Sequence, residues 1–308
     1  MIRKLGRWLA GLSLLLCLPA WAEPLRIGLL GDVPYTTYER RQLPLILDAM
    51  AQENLDVIIH LGDIKNGSSP CDDDVYLDIH NVFQAVPLPV VYVPGDNEWQ
   101  DCRRLSAGRH DPLERLRFLR QTFFATPNSL GQQALLMERQ AGFPENARWR
   151  MGPLLLISLN MPGHDNNVGS PAEFAPRNEA NLTWLKAAFE RVKAQRLRGL
   201  IILTQANPYI EADNEGAAKP GFRAFLDLLR AETATYDGQV LLAHGDTHAH
   251  QINQPLKDRK TRQPIANFTR VETYGFPFLG WVKVVADPDM EKLFRFESHP
   301  WNTRLPGQ

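Results

Sequence analysis

Pro89-Val90-Val91-Tyr92-Val93-Pro94-Gly95-Asp96-Asn97-Glu98-Trp99 is the stretch from which the fold can be read. Its valines run without polar alternation, as in a strand covered on both faces. The strand then stops at a glycine, which lets the chain turn sharply, and presents Asp, Asn and Glu together. Three more apolar runs end in the same dipeptide: Leu25–Asp32 in Gly31-Asp32, Asp56–Asp63 in Gly62-Asp63, and Gln239–Asp246 in Gly245-Asp246. Ligands of open α/β sheets bind beyond the carboxyl ends of the strands. The four endings therefore predict that Asp32, Asp63, Asp96 and Asp246 gather at one crevice.

Between these runs the apolar residues take helical spacing over Tyr38–Asn54, Asp72–Val86, Pro112–Phe124, Arg177–Gln195 and Phe222–Thr233. Further strands are expected at Leu154–Ile157 and Leu197–Thr204. Phe268–Tyr274 and Trp281–Val285 alternate as antiparallel strands do. Ala125–Asn146 and Met161–Pro176 read as loops, the second at the surface, where Asn160 and the polar stretch Gly163–Asn167 either line the same crevice or are solvated, the solvated loop being favoured. Early strand–helix alternation and a strand-rich end predict a mostly parallel sheet extended by antiparallel strands, with helices outside. There is no repeat and no linker, so residues 23–308 are expected to form a single domain.

The first 22 residues have the pattern of a signal peptide. Arg3, Lys4 and Arg7 precede the apolar run Trp8–Leu18, and Ala20-Trp21-Ala22 is a small-x-small cleavage site. The run is short for a bilayer span, so no stable membrane anchor is expected once it is removed. This predicts a periplasmic or secreted protein. Formal net charge is -1 for all 308 residues, and -1 - 3 = -4 without the three leader cations. Nothing in that balance indicates a nucleic-acid partner. Cys71 and Cys102 then remain, either as two buried thiols or as a disulfide; an oxidising compartment favours the disulfide.

Carboxylates sharing a crevice repel one another, by about 4 kcal/mol for a pair about 4 Å apart at an effective dielectric near 20. Protons or a cation must compensate. Oxygen-rich donors favour Mn, Mg or Ca over Zn. One Gly-Asp after a strand is commonly just an Asx turn; four of them, each closing an apolar strand, make the metal reading the stronger one.

The order and spacing of these motifs resemble the calcineurin-like metallophosphoesterases, from Leu25 to about His250. The resemblance implies a four-layer αββα sandwich with mixed sheets. It places Asp32, Gly62-Asp63, Gly95-Asp96-Asn97-Glu98, Gln205 and Gly245-Asp246-Thr247-His248 on the family's metal motifs. The chain departs from the family in one direction, with oxygen or amide donors where the family has imidazoles. Pro34 replaces the His after the first Asp, and Tyr35 beside it is either a phenolate ligand or a packed, hydrogen-bonded side chain. Asp96 replaces the family's Asn ligand. Asn97, Gln205 and Asp246 replace histidines, the first of which resembles a phosphate-contacting general acid. His248 is the imidazole that remains. His244 is a candidate substrate contact, although it and His250, flanking His248, also suit packing roles.

Two functions follow from the resemblance. In the first, the chain is an exported phosphoesterase using one or two divalent ions on phosphate mono- or diesters. Asp63 bridges, Asp32 and His248 complete one site, Asp96, Gln205 and Asp246 form the other, and Asn97 hydrogen-bonds the substrate. In the second, the chain is a non-catalytic metal- or ligand-binding protein that keeps the fold. Four carboxylates against two divalent ions leave a net charge near zero, which weakens phosphate attraction, and loss of a general acid costs roughly 10²–10⁴ in rate.

Overall fold

A computed structural model describes residues 23–301; the expected leader at 1–22 lies outside them. Twelve strands form two sheets. They are β1 (Leu25–Leu30), β2 (Val57–His60), β3 (Val90–Tyr92), β4 (Glu138–Gln140), β5 (Phe143–Met151), β6 (Leu154–Ser158), β7 (Gly199–Leu203), β8 (Gln239–His244), β9 (Gln251–Asn253), β10 (Phe268–Glu272), β11 (Gly280–Ala286) and β12 (Phe294–Pro300). One sheet has the order β12-β11-β1-β2-β3, the other β4-β5-β6-β7-β8-β10-β9. Each has a parallel centre, β1-β2-β3 and β6-β7-β8-β10, flanked by antiparallel strands.

Alternate residues of the central strands fill different layers. Ile27, Leu29, Ile59 and Val91 of one sheet meet Leu156, Ile201, Leu203 and Leu241 of the other in a shared core. The opposite face of the first sheet, with Leu30, Ile58 and Val90, packs under helices carrying Leu43, Met50, Phe83 and Leu119. The opposite face of the second, with Ile157, Ile202 and Leu242, packs under helices carrying Leu185, Phe189, Phe225 and Leu229. The result is helix, sheet, sheet, helix. Both faces of each central strand are buried, which explains the unbroken apolar runs.

Several expectations need correction. The single extended sheet is two sheets, because β11 pairs with β1 whereas β10 joins β8. β10 was expected to be antiparallel; β9 intervenes after β8 and turns the chain, so β10 runs parallel to β8. The span 125–146 is not all loop, since it holds β4 and enters β5. The span 161–176 is not a surface loop: Met161, Gly163 and Asn166 are buried, and a helix begins at Pro171, at the first-turn position where proline is tolerated. Short elements at Ile210–Asn214 and Gln251–Asn253 lack enough periodicity to be read from sequence.

Candidate metal centre

The four Gly-Asp endings do reach one rim. Asp32, Asp63 and Asp246 each turn off their strand in the left-handed region, at φ 53°, 57° and 80°. Aspartate is among the side chains that enter that region most readily. Asp32 and Asp63 leave one sheet, Asp246 and Gln205 the other, so the rim spans the join between the sheets. The Asp246 N–H donates to both Asp32 carboxylate oxygens at 3.1 Å. Gly245 permits that approach, because a Cβ there would lie 2.1 Å from Asp32 Oδ2.

Tyr35 sits at the hub of the first half of the rim. It enters the helix Thr37–Ala51 through a capping box, in which Thr36 Oγ1 accepts the Glu39 N–H and Glu39 Oε2 accepts the Thr36 N–H at 3.0 Å; the same Oε2 also accepts the Tyr35 N–H at 2.7 Å. Its hydroxyl donates to Asp63 Oδ2 at 2.8 Å and lies 3.4 Å from Asp32 Oδ1. Asn97 Nδ2 donates to it at 3.2 Å, and His248 Nε2 is 3.3 Å away. His248 Nε2 also stands 3.6 Å from Asp32 Oδ1. Asp63 Oδ2 further accepts Asn97 Nδ2 at 2.9 Å and Gln205 Nε2 at 3.3 Å.

Gly163 backs the second half. Its N–H donates to Gln205 Oε1 at 2.8 Å. A Cβ on it would lie 2.7 Å from Asp96 Oδ1 and 3.0 Å from Asp246 Oδ1, so the missing side chain leaves room between those carboxylates. Asp246 Oδ2 accepts the Asn207 N–H at 3.1 Å. Beyond Gly163, His164 to Asn167 all adopt left-handed φ, from 48° to 57°, at a cost of roughly 1–2 kcal/mol each. Buried Arg177 holds the turn, donating to Asn166 Oδ1 at 2.6 Å and to the Asn166 carbonyl at 2.9 Å.

Burial dominates the electrostatics. It pushes Asp32 up, and it pushes Asp63 well above the carboxylate range, with Asp96, Glu98, Asp32 and Asp246 adding repulsion. Burial and then Asp101 raise Asp96 to about 6, and burial and then Asp96 raise Asp246 to about 7. Burial opposes charge on His248, but the bond and charge of Asp32 outweigh it and raise its pKa. Such a set of oxygen donors, short of counter-charge, suits a hard divalent ion. Asp96, Asp246 and Gln205 surround Gly163, with Asp63 beside them. In the other half the Tyr35 hydroxyl already stands among Asp32, Asp63 and His248.

Not every expected residue reaches the rim. His244 does not; it is completely buried. On β8 it follows Val240 and Leu242 onto the helix-covered face, and its Nδ1 is 2.9 Å from the Gly245 carbonyl. The side chain expected as a substrate contact thus lies off the rim, and burial lowers its pKa to about 4. Glu98 turns inward too, accepting the backbone N–H groups of Gly95 at 2.7 Å and of Ile64. His250 stacks on Tyr274. Cys71 and Cys102 form a disulfide beside the rim. Asp101 and Arg104 were not singled out from sequence, because neither lies in a strand-end motif; His164 belongs to the polar stretch Gly163–Asn167, which the structure brings to the rim. Among the described residues, Asp96, Asp101 and His164 are the one trio whose ligand atoms all lie within 4.8 Å of one another.

The calcineurin-like phosphoesterase family matches residues 25–250. A dimetal phosphatase from Danio rerio is similar in structure, with a TM-score of 0.51 at 13% identity, covering 91% of this chain and 100% of that one. The purple acid phosphatase PPD1 from yellow lupin (Lupinus luteus) seeds has a TM-score of 0.49 at 13% identity; the match covers 87% of this chain and 50% of that one. No curated protein matches the chain.

Proposed function

The chain belongs to the calcineurin-like phosphoesterase family, and from that premise we propose that it is an exported, metal-dependent hydrolase of phosphate mono- or diesters. The observation that carries this reading is the meeting of Asp32, Asp63, Asp96 and Asp246, from both sheets, at one buried rim. A divalent ion bound there would polarise a phosphoryl oxygen and lower the pKa of a bound water. Asp96, Asp246 and Gln205, with Asp63, are the residues to hold it. Mn, Mg or Ca suits these oxygen donors better than Zn. The Asn97 amide, beside Asp63, offers a hydrogen bond to the substrate. Export accords with the sequence of residues 1–22, the disulfide, and the absence among the described residues of a helix long and apolar enough to cross a membrane. Residues 23–308 are read as one domain, with a phosphorylated small molecule or ester as substrate.

A second reading, an ion-binding protein without turnover, is favoured by one observation. Tyr35, Asn97 and Gln205 all donate to Asp63 Oδ2, which satisfies the hydrogen bonding of the bridging carboxylate without a second ion. Assay of the purified protein with Mn, Mg and Ca against aryl phosphate mono- and diesters separates the two. Turnover abolished by Asp63→Ala supports the hydrolase. Turnover unchanged by that substitution assigns it to another site, and its complete absence with every ion favours the second reading.

A further inference from the structure

We infer that Arg104 is the phosphate-binding residue of this centre and that Asp101 and His164 position it; the inference rests on the phosphoesterase reading of the same rim. The rim carries four carboxylates, so one or two divalent ions leave its net charge between about -2 and zero, and a phosphate dianion finds no attraction there without a further cation. Lys65 is close but buried, with its Nζ donating to the Asn97 carbonyl at 2.8 Å and the Asn66 carbonyl at 2.9 Å. Arg104 is open, its side chain 38% exposed.

The guanidinium is held on two sides. Arg104 Nη1 pairs with Asp101 Oδ2 at 2.7 Å, and Asp101 is almost wholly buried. Arg104 Nη2 donates to His164 Nε2 at 2.9 Å. His164 in turn stands 3.4 Å from Asp96 Oδ2, so the pair adjoins the proposed metal lobe directly. Gly67 lets the group lie against Asn97: a Cβ there would meet Asn97 Oδ1 at 2.5 Å, Arg104 Nη1 at 2.6 Å and Asp101 Oδ2 at 2.6 Å. Arg104 is two residues from the disulfide cysteine Cys102, and its backbone N–H bonds the Asp101 carbonyl at 2.9 Å, so its backbone is fixed as well. The left-handed turn at 164–167 is strained, and that strain is spent placing His164 over Asp96 and Arg104.

A guanidinium has five N–H donors in a planar fork. Asp101 and His164 engage two of them, and the others are free to take two non-bridging oxygens of a terminal phosphate. The trio Asp96, Asp101 and His164 has the spacing of a cation site, but Arg104 already supplies the positive charge against Asp101, and its N–H occupies His164 Nε2.

Titration of inorganic phosphate into the Mn-loaded full-length protein, followed by calorimetry, tests this. Wild type is expected to bind phosphate, Arg104→Gln to bind it about tenfold or more weakly, and Arg104→Lys to fall between, since an ammonium lacks the fork. Mn affinity is expected to be unchanged in all three, and Arg104→Gln is expected to melt somewhat lower because buried Asp101 loses its ion-pair partner. Equal phosphate affinity in Arg104→Gln overturns the inference, as does absence of phosphate binding by the Mn-loaded wild type. A large loss of Mn affinity in His164→Gln also overturns it, by making the trio an ion site. Binding is read without turnover, so a chain that binds phosphate through Arg104 yet hydrolyses nothing upholds this inference while the hydrolase reading fails.

Discussion

The Tyr35 hydroxyl donates to Asp63 Oδ2 at 2.8 Å, and Asp32, Asn97 and His248 all place a polar atom within 3.4 Å of that hydroxyl. The tyrosine thus stands where acids from two strand ends face one imidazole. Burial, then Asp63 and Asp32, push its pKa far up, so the phenol keeps its proton. Tyr35→Phe removes a donor to a buried carboxylate and is expected to destabilise chelator-treated protein by about 1–3 kcal/mol, measured by urea unfolding. Mn affinity, measured by calorimetry, should not fall. A marked fall would make the phenolic oxygen a ligand.

Stability of the ion-free protein should decline as pH rises. Glu98 is raised to about 8, Asp246 to about 7 and Asp96 to about 6, chiefly by burial. Ordinary carboxylates titrate near 4, so between pH 4 and 8 the folded chain binds more protons than the unfolded one. The slope of unfolding free energy against pH is then negative. Melting temperatures in chelator are expected to be higher at pH 5 than at pH 8, and added Mn should raise them most at pH 8, where the acids bind an ion without losing protons. A rise with pH in chelator would contradict this.

Gly163→Ala should separate fold from ion binding. The new methyl group would crowd Asp96 Oδ1 and Asp246 Oδ1. The far-ultraviolet spectrum should be retained while Mn affinity drops about tenfold or more, an expectation scaled on one lost charge-assisted contact. Unaltered affinity would place the ion elsewhere.

Cys71 and Cys102 are 31 residues apart in sequence and bonded. Closing a loop of that length stabilises a chain by about 3–4 kcal/mol on the chain-entropy model. The double variant Cys71→Ser, Cys102→Ser is expected to lose roughly that amount in urea unfolding. Since the bridge sits at the base of the Arg104 loop, the variant should also weaken phosphate binding; an unaffected phosphate affinity would show that Asp101 and His164 suffice to hold Arg104.

Strand ends were the legible part of the sequence. Gly31-Asp32, Gly62-Asp63, Gly95-Asp96 and Gly245-Asp246 announce themselves, because a strand buried on both faces is an apolar run and its turn needs glycine and aspartate. The two-sheet division was not legible from pattern alone, since Trp281 and Phe268 begin similar alternating runs yet join different sheets. Gly163 reads as part of a solvated loop because the turn that buries it is held by Arg177, whose contacts with Asn166 are unmarked in composition. Arg104 is an extended residue between two short 3-10 turns, Asp101–Arg103 and Leu105–Ala107, a region with no periodicity. Tyr35 was visible as a neighbour of Asp32, but its four-way contact depends on where Asn97 and His248 arrive from other strands.

Because Asp32 and Asp63 belong to one sheet and Gln205 and Asp246 to the other, the rim exists only while the two stacked layers stay in register. Ion affinity is therefore a gauge of docking between the layers. A slip of the interlayer core around Leu29, Ile201 and Leu241 would disperse the donors before either half had lost a helix or a strand. The complete donor set is therefore a property of the docked pair, held by neither layer alone.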